Sequence, residues 1–175
     1  MNDASSAGTD YSTTERTWPA DQTFFLTIDY ECDYGTALVE NSYDALDYTE
    51  AVVNLLERLD VPLTCFIQTE VLEEAPEEIE RFRNAEIPVS FHPHSHTHRP
   101  RETADIEDEI RMSTARYQEF FGRDPTGYRF PNGNVRPHDY QLLTEYGYEF
   151  DASVFPSWRP GHFDNTTAAT NPQHL

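Results

Sequence analysis

The feature that most restricts the fold of this 175-residue chain is a regular alternation of short apolar runs with longer amphipathic stretches. The apolar runs are rich in β-branched and aromatic residues, which is typical of buried strands, and they cover residues 24–28, 62–68, 87–91, 127–130 and 148–154. Apolar residues at helical spacing predict helices over 43–59, 76–84, 103–121 and 137–146. Because strands alternate with helices and no hairpin signal joins two strands, we expect an α/β domain of right-handed βαβ units around a parallel sheet.

The two ends of the chain depart from this alternation. Residues 1–20 are rich in Ser, Thr, Asp and Gly without any period, so we expect a disordered arm there and one folded domain over 21–175. From Phe155 onward no regular element is predicted. The polar N-terminus lacks the apolar core of a signal peptide, and no run is long enough to span a membrane, so a cytoplasmic location is expected.

The charge of the chain excludes some partners. Asp and Glu together number 32 against 12 basic residues, all of them Arg, and the formal net charge is −20. Nucleic acids and anionic membranes need a basic surface, so neither is expected as a partner. The acid excess indicates either a solvated acidic face or adaptation to high salt, and the composition resembles that of haloarchaeal proteins.

A run of alternating histidines follows the third predicted strand. His92, His94, His96 and His98 lie within seven residues. In an extended strand all four rings would share one face, whereas a helical turn would pair His92 with His96, or His94 with His98. Either arrangement can place two imidazoles on one metal ion, so a metal site is favoured over a solvated histidine-rich loop.

Polar residues also follow the first and fourth strands, and in parallel α/β folds the chemistry gathers at the carboxyl ends of strands. Asp29, Glu31 and Asp33 alternate at the first of these ends. One carboxylate could complete a two-His, one-carboxylate metal site, and a second could act as general base towards water bound to the metal. A solvated acidic loop is the alternative.

Arg129, at the fourth strand end, could hold a catalytic carboxylate, or it could form an ordinary surface ion pair.

These clusters carry a family resemblance. Residues 94–98 read His-Ser-His-Thr-His and resemble the motif His-Ser/Thr-x-x-His, while residues 129–133 read Arg-Phe-Pro-Asn-Gly and resemble Arg-x-Pro-x-Gly. Over about residues 24–156 the chain is similar to the polysaccharide deacetylases of carbohydrate esterase family 4, the NodB-homology domain. The resemblance implies a distorted (β/α) barrel, a divalent metal with zinc favoured, and removal of N-acetyl or O-acetyl groups from a carbohydrate substrate by attack of metal-bound water.

The same resemblance implies roles for individual residues. Asp29 corresponds to the general base, with Arg129 beside it, and Glu31 joins His94 and His98 as a metal ligand. Asp33 remains a rival of Glu31, because the usual Thr-Phe-Asp-Asp motif is altered here to Thr-Ile-Asp-Tyr-Glu at residues 27–31. The residues expected to contact substrate are Tyr30, Pro131, Asp151, Phe155 and Trp158.

The chain also departs from the family pattern. The Leu-x-x-His motif that supplies the general acid is not found, since neither His162 nor His174 lies in it. Five strands are predicted where the family barrel has seven, so the last strands are expected to be lacking. Two alternatives follow: a non-catalytic metal- and glycan-binding module of the same fold, and a hydrolase of small cyclic amides. Exposed aromatic residues along a groove would favour a glycan.

Overall fold

A computed structural model describes residues 25–33, 41–156, 158–159, 163–164, 166 and 173–175 of the chain. The predicted arm over residues 1–20 lies outside the described residues. The strands are β1 Thr27–Tyr30, β2 Leu63–Ile67, β3 Val89–Pro93, β4 Gly127–Tyr128, β5 Phe150–Asp151, β6 Trp158–Arg159, β7 Phe163–Asp164 and β8 Gln173–His174. The α-helices are α1 Thr49–Leu59, α2 Val71–Glu74, α3 Pro76–Arg83, α4 Ile106–Phe121 and α5 Pro137–Glu145.

The first three strands form a parallel sheet in the order β1-β2-β3, as the alternation of strands and helices predicts. Thr27 pairs with Thr64 between β1 and β2, and Leu63 pairs with Val89 between β2 and β3. The central strand β2 is buried along most of its length, which explains its continuous apolar sequence Leu-Thr-Cys-Phe-Ile. The carboxyl ends of β1 and β3 therefore lie at the same edge, on either side of β2.

The fourth and fifth strands continue this arrangement beside β3. The amide of Arg129, just after β4, donates a hydrogen bond of 3.1 Å to the carbonyl of Pro93 at the end of β3. Strand β4 in turn pairs in parallel with β5. The residues that follow β4 are thereby brought next to the histidine run that follows β3.

One expectation about the fold was wrong, and another is confirmed in part. Strand β8 pairs antiparallel with β5, and β6 and β7 form a second antiparallel pair, so regular structure does continue beyond Phe155. These three strands have two residues each and, unlike β4 and β5, lie in no apolar run of the sequence. In the described part of the chain the strands form separate sheets and no closed barrel, so the α/β class is confirmed and the barrel stays a prediction.

Two apolar clusters support the strand ends. The larger lies between the sheet and α1, α2 and α3, and includes the fully buried Cys65, Ile67 and Ile79. The smaller joins α4, α5 and the segment around β4 through Ile110, Tyr128 and Leu143. Among the described residues, no helix combines the length and the apolar character needed to cross a membrane.

Candidate metal centre

Glu31, His94 and His98 converge at the carboxyl edge of the sheet. Glu31 Oε2 lies 3.1 Å from His94 Nε2 and 2.7 Å from His98 Nε2. One ligand atom from each residue falls within 4.8 Å of the others. The two histidine side chains are almost fully buried, so the cluster is held by the fold and not by chance contact at the surface.

The hydrogen bonding of these groups fits a cation better than it fits a bare ion pair. His94 Nδ1 lies 2.8 Å from the carbonyl oxygen of Arg129, which can only accept, so Nδ1 carries the proton of the neutral ring. The lone pair of His94 Nε2 then faces the Glu31 carboxylate. Glu31 Oε2 is buried and faces the Nε2 atoms of both histidines. A divalent metal would satisfy both lone pairs, and two imidazole nitrogens with one carboxylate oxygen form a donor set that zinc accepts.

The protonation of Glu31 suits a ligand as well. Burial alone would raise the pKa of Glu31, but the adjoining His94 and His98 outweigh burial and lower that pKa to about 2. The carboxylate is therefore ionised at neutral pH, as a metal ligand must be.

The loop of residues 94–98 combines both sequence-based interpretations of the histidine run. Strand β3 ends at Pro93, and the loop then turns through left-handed backbone at Ser95 (φ 64°) and His98 (φ 57°). The Ser95 hydroxyl accepts a hydrogen bond of 3.1 Å from the His98 amide. This turn brings His94 and His98 onto the same carboxylate, which is the pairing that a helical turn predicts.

The other two histidines of the run have partners of their own. His92 still belongs to β3, and its Nδ1 accepts a hydrogen bond of 3.1 Å from the amide of Gly127. Burial lowers the pKa of His92 to about 4, so its ring is neutral near pH 7. His96 Nδ1 lies 3.0 Å from the Thr69 hydroxyl. Neither ring belongs to the cluster around Glu31.

Asp29 and Arg129 form an ion pair beside this cluster. Arg129 Nη1 lies 2.6 Å from Asp29 Oδ1, while Asp29 Oδ2 points towards His94 Nε2 at 3.9 Å. Arg129 Nε donates to the carbonyl of Ala152 at 3.0 Å, and its guanidinium lies 3.9 Å from the centre of the Phe66 ring. The guanidinium is therefore fixed on three sides, and Asp29 keeps one oxygen free towards the histidines.

Asp33, the rival of Glu31, is used elsewhere. Its carboxylate accepts hydrogen bonds from the Ser42 hydroxyl at 2.8 Å, the Asp44 amide at 2.7 Å and the Ala45 amide at 3.1 Å. These contacts cap the 3-10 turn Asp44–Tyr48 that precedes α1. Asp33 lies outside the His94–His98 cluster, so the structure brings Glu31 and not Asp33 to the histidines.

Two of the five predicted substrate contacts are buried. Tyr30 is only 7% exposed, packs edge-on against Phe82 and hydrogen-bonds Thr49. The expectation that Tyr30 is an exposed aromatic in a groove was wrong, because alternation along β1 turns it away from Asp29 and Glu31.

Asp151 is the second buried residue, at 1% exposure. Its carboxylate accepts from the hydroxyl (2.5 Å) and the amide (3.1 Å) of Ser153, and burial raises its pKa to about 6. Ser153 Oγ in turn accepts from the Phe130 amide at 2.6 Å. Asp151 therefore offers no surface to a substrate and instead links β5 to the chain just after Arg129.

The other three predicted contacts are accessible. Pro131 begins a 3-10 turn directly after Phe130 and is partly exposed. Phe155 is 57% exposed and Trp158 is 64% exposed. Exposed aromatic side chains therefore lie in the segment after β5.

Several residues of the site were missed by sequence reasoning. Thr27 accepts a hydrogen bond of 3.1 Å from Arg129 Nη2, and it shares a strand face with Asp29 and Glu31, so alternation could have found it. Phe66 beneath Arg129 carries no signal, because an aromatic residue in an apolar strand is ordinary core. Glu109, on α4, contacts the loop of residues 94–98. It lies 11 positions after His98, and no sequence spacing predicts a contact between positions that far apart.

Comparison with known proteins identifies the class that this fold and site define. The family model described as polysaccharide deacetylase matches residues 20–150, which is most of the chain. The protein therefore belongs to the polysaccharide deacetylase family, as the motif resemblance predicts.

Solved structures share the fold at low sequence identity. A candidate polysaccharide deacetylase from Mycobacterium smegmatis superposes with a TM-score of 0.63 at 22% identity, over 80% of this chain and 54% of that one. The Streptococcus pyogenes deacetylase PplD, in complex with acetate, gives 0.60 at 15% identity, over 87% of this chain and 63% of that one. A family 4 pseudoenzyme from Bacillus anthracis gives 0.55 at 15% identity, over 71% and 41%. The chain thus spans less than two thirds of each of these structures. A comparison with curated proteins finds no match.

Proposed function

We propose that the protein is a metal-dependent hydrolase that removes N-acetyl or O-acetyl groups from a carbohydrate. One observation carries this proposal: Glu31, His94 and His98 meet at one point, and the Asp29–Arg129 pair lies directly beside them. Family membership supports deacetylation as the reaction class.

The metal would be held by Glu31, His94 and His98, and zinc is favoured by the two nitrogen donors and one oxygen donor. When bound, such an ion supplies a Lewis acid that acidifies water and polarises the acetyl carbonyl. The proton on His94 Nδ1, donated to the Arg129 carbonyl, fixes the tautomer in which Nε2 is the nitrogen available as a ligand.

Asp29 is proposed as the general base. Its Oδ1 is held by Arg129, so Oδ2 is the oxygen left to take a proton from the attacking water. The water oxygen bonds to the acetyl carbon, the bond from that carbon to the sugar nitrogen or oxygen breaks, and acetate leaves. The proton held on Asp29 Oδ2 is then available to the departing amine or hydroxyl.

Arg129 is proposed to orient Asp29. Its contacts with Ala152, Thr27 and Phe66 fix the guanidinium before substrate arrives, so the carboxylate needs no rearrangement. On the substrate side, the exposed Phe155 and Trp158 are proposed as stacking surfaces for sugar rings, and the partly exposed Pro131 is proposed as a further substrate contact. These exposed aromatics favour a glycan over a small cyclic amide.

A non-catalytic metal- and glycan-binding module is the second candidate. The presence of a pseudoenzyme among the similar structures favours it. Both candidates require the metal centre, and they differ only in turnover.

Acetate release separates the two candidates. The wild-type protein, supplied with zinc, is incubated with a panel of N-acetylated and O-acetylated glycans, with Asp29→Asn as the matched variant. Release by the wild type and its loss in the variant would support hydrolysis at this site. Binding of a glycan without release of acetate from any member of the panel would overturn the enzyme proposal in favour of the binding module.

We also propose that the protein works at high salt. The net charge of −20 and the exclusive use of Arg as the basic residue support this. Self-repulsion of such a surface is strong in dilute buffer and is screened by salt.

A further inference from the structure

One carboxylate from outside the cluster holds the loop that carries both histidines. Glu109 Oε2 accepts hydrogen bonds of 2.8 Å from the amide of His96 and 2.8 Å from the amide of Thr97. Glu109 Oε1 accepts a further, short hydrogen bond from the Thr97 hydroxyl. All three donors belong to the two residues at the middle of the loop, between His94 and His98.

This loop has a conformation that its sequence does not favour. Ser95 and His98 both have positive φ, at 64° and 57°, and neither is glycine. Left-handed backbone at a non-glycine residue is unfavourable and persists only where neighbouring contacts impose it. Without Glu109 the amides of His96 and Thr97 would lose their acceptor, so the loop would have reason to rearrange towards water.

The support comes from a rigid element. Glu109 lies in the first turns of α4, and the next residue, Ile110, is completely buried in the smaller apolar cluster. Its neighbour Asp108 is exposed and pairs instead with Arg111 at 2.7 Å. A carboxylate fixed near a helix N-terminus is also favoured by the helix dipole. Through these hydrogen bonds Glu109 transmits the position of α4 to the loop.

We propose that Glu109 is a positioning residue of the metal centre, which sets the spacing of His94 and His98 through the two amides between them. The inference rests on the proposed metal site but not on the proposed reaction. It predicts that metal affinity depends on a residue that does not contact the metal, as is common for groups that orient ligands.

The test is zinc affinity measured by competition with a chromophoric chelator, in the absence of any glycan, on the wild type and three variants. Glu109→Ala should weaken zinc binding by about 10–100-fold, the range found when groups that orient metal ligands are removed. Glu109→Gln keeps an oxygen that can accept from both amides, so it should bind zinc nearly as tightly as the wild type. Glu107→Ala removes an exposed carboxylate from the same helix turn and serves as the matched control.

The thermal unfolding of the metal-free proteins distinguishes positioning from general support. A role limited to fold stability would lower the midpoint of Glu109→Ala while leaving its zinc affinity at the wild-type value, and that result would overturn the inference. If Glu109→Ala does not fold, Glu109→Asp replaces it, since its shorter side chain cannot reach both amides and should also weaken zinc binding. Wild-type protein that binds no zinc would overturn the metal site and this inference together. Wild-type protein that binds zinc without releasing acetate would leave the inference standing and remove only the reaction.

Discussion

Single hydrogen bonds decide which histidines of the run face Glu31. The ring of His94 is oriented by its hydrogen bond to the Arg129 carbonyl, and His98 is placed by the left-handed backbone of its loop. His92, in contrast, lies on β3 and accepts a hydrogen bond from the Gly127 amide. His94→Ala should therefore abolish stoichiometric zinc binding. His92→Ala should retain zinc while losing about 1–3 kcal/mol of stability, because a buried amide is left without an acceptor. Zinc content by mass spectrometry and denaturant unfolding check the pair, and loss of zinc from His92→Ala alone would show that the wrong histidines were chosen.

The separate roles of Asp29 as general base and Glu31 as metal ligand are tested by a substitution at Asp29. Asp29→Asn should keep zinc and lose about 10²–10⁴-fold in the rate of acetate release, because water is no longer deprotonated during attack. Loss of zinc from this variant would mean that Asp29 and Glu31 have exchanged roles.

Arg129→Ala leaves Asp29 without its ion pair. We expect a rate loss of about 10²-fold with zinc retained, which is the size of effect that a misplaced catalytic group produces. The rate constant and zinc content are measured on the same preparation. An unchanged rate would show that Asp29 is oriented by something other than the guanidinium.

Much of the site was predictable residue by residue. Alternation along β1 favours Glu31 over Tyr30, and the four-residue spacing of His94 and His98 is already one of two pairings that the run allows. The same alternation places Tyr30 on the opposite, buried face, so the expectation of an exposed Tyr30 ring was inconsistent with it. The contacts of Glu109 and Phe66 could not be predicted, because they depend on the tertiary placement of α4 and β2.

At the scale of elements, the strand ends are joined by buried polar links. The link after Arg129 runs from the Phe130 amide to Ser153 Oγ and on to the carboxylate of Asp151. Burial raises the pKa of Asp151 from 3.8 to about 6, so between these values the folded protein holds a proton that the unfolded chain has released. The contribution of Asp151 to stability is therefore fully present below pH 3.8 and is lost as pH rises through about 6.

Asp151→Asn should remove this part of the pH dependence. Relative to the wild type, the free energy of unfolding of the variant should rise as pH increases through the window, since the amide cannot ionise. Urea unfolding of both proteins at a series of pH values provides the comparison. A difference between the two proteins that stays constant across the window would contradict a raised pKa at Asp151.

The longer elements were predicted well, whereas helix α2 and strands β6, β7 and β8 were not predicted. Helices α1, α3, α4 and α5 and strands β2 and β3 lie close to their predicted bounds, because each contains enough residues to show a period. Helix α2 has four residues and β6, β7 and β8 have two each, so no period exists to be found. Their presence depends on pairing and packing with distant segments.

At the scale of the whole molecule, charge should govern stability. The net charge of −20 means that many acidic side chains repel one another within a compact volume. Raising the salt concentration from 0.1 M to 1 M shortens the screening length of this repulsion from about 10 Å to about 3 Å. The thermal unfolding midpoint should therefore rise with potassium chloride concentration. A midpoint that is unchanged or lowered in molar salt would contradict adaptation to high salt.

The central claim is that Glu31, His94 and His98 hold a metal on which hydrolysis by Asp29 depends. The most direct measurement is a titration of metal-free protein with zinc, in which bound metal and the rate of acetate release from an acetylated glycan are followed in the same sample. The account predicts no release before zinc is added, a rate that rises in proportion to bound zinc, and a plateau at one equivalent. Full release from metal-free protein, or a rate that stays at zero when one equivalent is bound, would contradict it.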